Sequence, residues 1–271
     1  MDVQQAIAIL DSGVGGLTVV KEVMRQLPQE KVIYFGDTAR APYGPRDPQE
    51  VLQFTQQIVD YLLQFQPKMM VIACNTATAV AIEAIRACTT IPVVGVISPG
   101  VRAAIKMTKM GSIGVIGTEG TIRSQAYDHA LTTISPSVSV FSQACPRLVP
   151  LVESGVFEGE EAMQIVEESL KPLKGQAMDC LILGCTHYPF LMKVIASVMG
   201  PQVNLISSAE ETAQEVSTIL SHSGMLAQHV NVPVHQFFCS GDPLLFKHIA
   251  QNWLKEHLTI TPVVWQTPNF K

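Results

Sequence analysis

The 271-residue chain is short of several things, and each shortage excludes a class of protein. Charged residues make up only 15% of it, 18 basic against 23 acidic, for a formal net charge of -5. No run of five like charges occurs, so the chain lacks the electrostatic footprint of a protein that binds nucleic acid or an anionic membrane. No apolar run approaches the ~18 residues that a membrane helix needs, and Met69–Cys74 is only strand-length. Cysteines number six, with no C-x-x-C, and Cys180 precedes Cys185 inside a predicted strand, which does not match the spacing of a zinc site. Asp2 stands where a signal peptide carries positive charge. A cytoplasmic protein with reduced thiols is the expectation.

What is present is a globular composition, 47% hydrophobic, and enough length for one large domain or two modest ones. A disordered chain is excluded. Strands are predicted at Ala6–Leu10, Lys31–Phe35, Met69–Ala73, Val93–Ile97, Ser112–Ile116, Val138–Phe141, Cys180–Gly184, Val203–Ile206 and His235–Cys239. Helical spacing of apolar residues separates many of them, at Gly16–Gln26, Pro48–Phe65, Thr78–Ala87, Glu160–Lys171, Phe190–Met199 and Ala209–Ser221. Such alternation implies parallel sheets covered on both faces, a doubly wound α/β fold.

The sequence also repeats. Gln57-Ile58-Val59-Asp60 followed by Val71-Ile72-Ala73-Cys74-Asn75-Thr76 resembles Gln164-Ile165-Val166-Glu167 followed by Ile182-Leu183-Gly184-Cys185-Thr186-His187, and Ile9–Gly13 mirrors Val115–Glu119. Apolar matches alone arise between any two strand-turn-helix units. The cysteines are more specific, because each half puts one just past a strand and at the start of a helix. Two similar α/β halves are predicted, with both thiols at the carboxyl ends of strands, where open α/β sheets bind ligands.

At Cys74 the helix that follows must expose unpaired N–H groups, and these, with the helix dipole, draw a thiol below its free pKa of about 8.5. A buried small hydrophobe is the commoner fate of a free cysteine. Cys185 repeats the arrangement, with Pro189 suited to the first helical position and His187 placed to orient the thiol or titrate with it. Alone, that motif also fits a Cys-His nucleophile. Asp11-Ser12-Gly13-Val14-Gly15-Gly16 follows the first strand and brings backbone N–H groups close to an anion. Thr18 occupies the last glycine position of G-x-G-x-x-G, so a small carboxylate fits better than a nucleotide. Asp11 either caps this turn or tunes a proton and accepts from a substrate ammonium. Pro42-Tyr43-Gly44 lies in an irregular loop, placed to close over a ligand or to pack. Asn75, Thr76, Ser98, Thr118, Thr121 and Thr186 are compatible with a polar pocket, although each alone is more often a cap.

In this order and spacing, Asp11–Thr18, Pro42-Tyr43-Gly44, Cys74-Asn75-Thr76-Ala77 and Gly184-Cys185-Thr186-His187-Tyr188-Pro189 resemble the glutamate racemase family, within the aspartate/glutamate racemases. The motifs span residues 11 to 189, and the last third is similar only in its α/β pattern. The resemblance implies cofactor-independent interconversion of L- and D-glutamate, with no metal, supplying D-glutamate for bacterial peptidoglycan. It implies two pseudo-symmetric doubly wound domains with the active site between them, the chain crossing near Ser98 and returning near Ser207. Residues 1–97 plus 208–271 would form one domain and 98–207 the other. The family's members are often dimeric, so a homodimer is expected, with no nucleic-acid or membrane partner.

The resemblance also implies roles. Cys185 is the base toward L-glutamate and Cys74 toward D-glutamate, with Asp11 assisting Cys74, His187 assisting Cys185, and Glu153 a partner for His187. Around the substrate it implies Asp11, Ser12, Pro42, Tyr43 and Gly44 from one side of the repeat, with Asn75, Thr76, Thr118, Thr121, Thr186 and His187. The chemistry agrees: inverting a Cα centre needs an acid/base group on each face, and two thiols exchange those roles symmetrically. Preorganised donors, expected from helix N-termini after Leu10, Ala73 and Gly184, would stabilise the carbanion, each worth about 10²–10³ in rate. The rival readings are a racemase for aspartate or another acidic amino acid, a Cys-His amidase, and a two-lobed binding protein, which would need export.

Overall fold

The computed structural model describes residues 2–228 and 233–254, and the backbone of 264–266. In order, the chain forms β1 (Ile7–Asp11), α1 (Leu17–Gln26), β2 (Val32–Gly36), α2 (Pro48–Leu63), β3 (Met69–Ile72), α3 (Asn75–Cys88) and β4 (Val93–Gly95). Then come α4 (Ile97–Met107), β5 (Ser112–Gly117), α5 (Glu119–Arg123), α6 (Ala126–Ile134), β6 (Ser139–Ala144), α7 (Leu148–Glu153), α8 (Glu160–Leu170) and β7 (Cys180–Gly184). The remainder is α9 (Met192–Met199), β8 (Asn204–Ser207), α10 (Ser208–His222), β9 (Gln236–Cys239), α11 (Pro243–Trp253) and β10 (Val264–Gln266).

These strands make two parallel sheets, ordered β10-β9-β2-β1-β3-β4 and β6-β5-β7-β8. The order β2-β1-β3-β4 recurs as β6-β5-β7-β8, so the repeat in the sequence is a repeat of topology. Each sheet is covered on both faces. In β1, Ile7 and Ile9 enter one core and Ala8 and Leu10 the other. In β7, Cys180 and Ile182 face one core while Leu181 and Leu183 face the second. That is why both strands read as continuous apolar runs rather than alternating ones. The helices add amphipathic stripes: α2 buries Val51, Ile58, Val59 and Leu62, and starts sharply because the Asp47 carboxylate accepts from the Gln49 N–H at 2.8 Å beside Pro48. Among the described residues no helix is long and apolar enough to cross a membrane.

The predicted strand Val93–Ile97 stops at Gly95, and α4 starts at Ile97. Pro99 falls in its first turn, where a missing N–H costs no helical bond. The helices α4, α5, α6, α7 and α11, and strand β10, lie outside the segments that the sequence pattern predicts. Of the segment expected to complete the first domain, residues 229–232, 255–263 and 267–271 lie outside the described residues. Helix α10 packs on both α1 and α4 and so sits at the junction of the two halves. At the amino ends of β2 and β3, away from the thiols, Lys68 Nζ pairs with Glu30 Oε2 at 2.6 Å, both side chains fully buried or nearly so. The same ammonium donates to the Val3 and Met225 carbonyls.

Candidate active site

The carboxyl ends of the two sheets face each other across a cavity of about 30 Å³, and both Cys74 and Cys185 line it. Ser12, Pro42, Tyr43 and Gly44 reach it from the first half, together with Asn75 and Thr76. From the second half come Thr118, Glu153, Thr186 and His187. Two residues expected at the substrate lie behind this wall. Thr121 is buried and hydrogen-bonds Thr76 at 3.2 Å and Thr118 at 3.1 Å. Asp11, entirely buried at the end of β1, accepts from the Gly13 N–H at 3.0 Å, while its Oδ1 has no hydrogen-bond partner. Gly13, Ala41 and Val149 line the cavity unforeseen. Val149 lies on α7, an element whose six residues carry no helical period long enough to read.

Cys74 caps α3, its sulfur accepting from the Ala77 N–H at 3.4 Å. The geometry matches the sequence expectation, but the electrostatics reverse it. Burial, and then the Asp11 carboxylate, outweigh the Ser12 and Ala77 donors and push the Cys74 thiol up to about 12. One weak N–H···S contact does not replace the water that a thiolate loses here.

Cys185 differs from its counterpart. The chain beyond it bends into a short 3₁₀ turn, Tyr188–Leu191, and α9 begins only at Met192, so no α-helix N-terminus stands behind this sulfur. The turn is pinned because Tyr188, fully buried, donates its hydroxyl to the Cys145 carbonyl at 3.0 Å. His187 occupies the vacated side, with Nδ1 3.8 Å from Cys185 Sγ and Nε2 3.1 Å from Glu153 Oε1. Burial opposes a charge on His187, but the hydrogen bonds to Cys185 and Glu153 and their negative charges outweigh it, and the imidazole is pushed up to about 10. It also opposes the burial that raises the Asp11 carboxyl. Nor does α1 start directly after β1: it begins at Leu17, beyond the turn at Gly13–Gly16.

Contacts between the halves flank the cavity. Thr18 Oγ1 donates to the Thr186 carbonyl at 3.0 Å, and Thr76 Oγ1 meets Thr118 Oγ1 at 2.9 Å. A β-carbon on Gly15 would lie 2.5 Å from His187 Nδ1, so only glycine lets that turn approach the imidazole. Tyr43 hydrogen-bonds the buried Asp37 carboxylate, which also accepts from Arg40 Nε and Ser240 Oγ at 2.6 Å each, fixing the Pro42-Tyr43-Gly44 loop. Among the described residues no group of three His, Cys, Asp or Glu side chains is placed to hold a metal ion.

Comparison with known proteins agrees with this geometry. The family model described as Asp/Glu/Hydantoin racemase matches residues 12–216. A glutamate racemase of Bacillus cereus is 56% identical over 253 residues, covering 93% of this chain and 94% of the relative. Among solved structures, the glutamate racemase isoform RacE1 of Bacillus anthracis superposes with a TM-score of 0.93 at 48% identity, over 98% of both chains. A glutamate racemase of Francisella tularensis, in complex with D-glutamate, gives a TM-score of 0.90 at 31% identity, again over 98% of both.

Proposed function

This chain belongs to the glutamate racemase branch of the Asp/Glu/hydantoin racemase family, and from that membership we propose that it interconverts L- and D-glutamate by two-thiol acid/base catalysis. The observation that carries the reading is a single cavity lined by Cys74 and Cys185, each following the matching strand of a repeated sheet. In one direction a Cys185 thiolate takes the α-proton of L-glutamate, and Cys74, protonated at neutral pH, delivers its proton to the opposite face. The negative charge moves from Cys185 to Cys74, and in the reverse direction the thiols exchange roles. The His187 imidazolium, itself held by Glu153, stands 3.8 Å from the Cys185 sulfur, on the side where that thiol works. Asp11 acts on Cys74 from behind the cavity wall. The backbone N–H groups of the Ser12–Gly13 turn and the side chains of Asn75, Thr76, Thr118 and Thr186 take the substrate's charged groups, with Pro42, Tyr43 and Gly44 closing over it and Thr121 supporting the threonine pair. Water excluded from so tight a space strengthens each of these interactions.

The biological setting proposed is D-glutamate supply for peptidoglycan in the bacterial cytoplasm, by a homodimer with no nucleic-acid or membrane partner and no cofactor. The domain division proposed is 1–97 with 208–271 against 98–207. The test is solvent exchange: in D₂O both enantiomers of glutamate should gain deuterium at Cα during racemisation, and Cys74→Ala or Cys185→Ala should each abolish inversion. Racemisation that survives in either variant rejects the scheme. A thioester at Cys185 with release of ammonia from an amide substrate supports the amidase instead.

A further inference from the structure

Asn75 and Tyr127 come from opposite halves of the molecule and meet beside the cavity. Asn75 opens α3 directly after Cys74, lines the cavity and is 2% exposed. Its amide oxygen accepts from the Tyr127 hydroxyl, on α6, at 2.7 Å. Its Nδ2 has no hydrogen-bond partner. An amide whose oxygen is engaged and whose nitrogen is left bare and desolvated presents a donor, not an acceptor, and a buried donor without a partner is costly unless a ligand supplies one. Tyr127 is fully buried, and burial pushes its hydroxyl up, so it remains a donor at any working pH.

The second half is shaped to admit this ring. A β-carbon on Gly184 would lie 3.0 Å from Tyr127 Cε2 and 2.7 Å from the Ile116 carbonyl. The missing side chain at Gly184 thus makes room for the Ile116 carbonyl first and for the tyrosine ring beside it.

We propose that Tyr127 is a positioning residue that turns the Asn75 amide so that its Nδ2 donates to a carboxylate of the substrate. The hydroxyl belongs to the other half, so the donor is oriented only when the halves are closed on each other. The idea rests on the glutamate-racemising function given above, and its test separates the two. Tyr127→Phe keeps the ring and removes the hydroxyl. KM for both enantiomers should rise about tenfold, with kcat changed less than about twofold, as expected for loss of one carboxylate contact present throughout the reaction. Asn75→Ala should raise KM at least as much, and adding Tyr127→Phe to it should change nothing more. Asn75→Asp, which keeps the acceptor for Tyr127 and loses the donor, should reproduce the KM rise if the alanine variant folds poorly. An unchanged KM in Tyr127→Phe, or effects of the two substitutions that multiply fully, overturns the proposal. So does a loss confined to the melting temperature and the active fraction, the signature of a purely structural tyrosine. Wild-type protein that fails to racemise glutamate at all sinks the underlying function instead.

Discussion

His187 turns one ring nitrogen to Cys185, 3.8 Å from its sulfur, and the other to Glu153 at 3.1 Å, whereas the charged neighbour of Cys74 is the Asp11 carboxylate. The two thiols are thus equivalent in topology and opposite in electrostatics. One is flanked by a group held cationic and the other by an anion, which suits a resting state with the proton on Cys74.

The close approach of the Gly13–Gly16 turn to the second half can be tested with one methyl group. Gly15→Ala places a methyl group 2.3 Å from Thr186 Oγ1 and 2.5 Å from His187 Nδ1, so the Thr186 hydroxyl and the imidazole must both shift from their places beside Cys185. Displacement of about 1 Å in a catalytic constellation costs on the order of 10² in rate. Racemase assays should show kcat falling by that factor while unfolding remains cooperative; full activity would mean that the turn yields instead.

His187 also ties stability to pH. Its folded pKa of about 10 lies above the ordinary 6.5, so its contribution is fully present below about pH 6.5 and is lost as pH rises through about 10. Cys74, raised from 9.0 to about 12, adds a similar loss only above about pH 9. Urea unfolding of wild type against His187→Gln should show the wild-type advantage shrinking from pH 6.5 to pH 9, before Cys74 contributes. A constant difference across that range would refute the imidazolium at this site.

Thiol reactivity should sort by exposure and protonation. Cys88 is the exposed cysteine, and the other five are buried. Because the thiolate is the reactive form, Cys74, buried and raised to about 12, should resist alkylation at neutral pH. Mass spectrometry after brief treatment with iodoacetamide should find Cys88 modified first and Cys74 intact. Rapid modification of Cys74 in the absence of substrate would contradict the environment described.

The buried pair Lys68–Glu30 should matter for folding and not for chemistry. Removing one partner leaves a buried charge uncompensated, which costs about 3–5 kcal/mol. Lys68→Met is expected to lower stability by that order in denaturant unfolding with KM unchanged, and Lys68→Met with Glu30→Gln should recover part of the loss.

Much of this molecule was legible in its sequence. The strand Cys180–Gly184 matches its predicted bounds, and other predicted strands fall within a few residues of those observed, because apolar runs bounded by turn residues have few other uses in an α/β chain. The repeat of Cys74 in Cys185 and the motif residues around both were visible as well. The short helices α5 and α7 were not, since five or six residues carry too little periodicity to read. Helix α4 was hidden by its opening Ile97-Ser98-Pro99-Gly100, which reads as a break.

Chain order and hydrophobic pattern alone determined the parallel strands, the doubled topology and the thiols at the strand ends, since these follow from local period and spacing. Tertiary structure decided the rest. It made Cys74 a protonated thiol in spite of its helix, gave Cys185 a histidine in place of a helix dipole, set Asp11 and Thr121 behind the wall, and brought Tyr127 to Asn75. Each of those outcomes depends on which groups from distant segments displace water around a side chain, and desolvation is a property of the packed site, not of the neighbouring sequence.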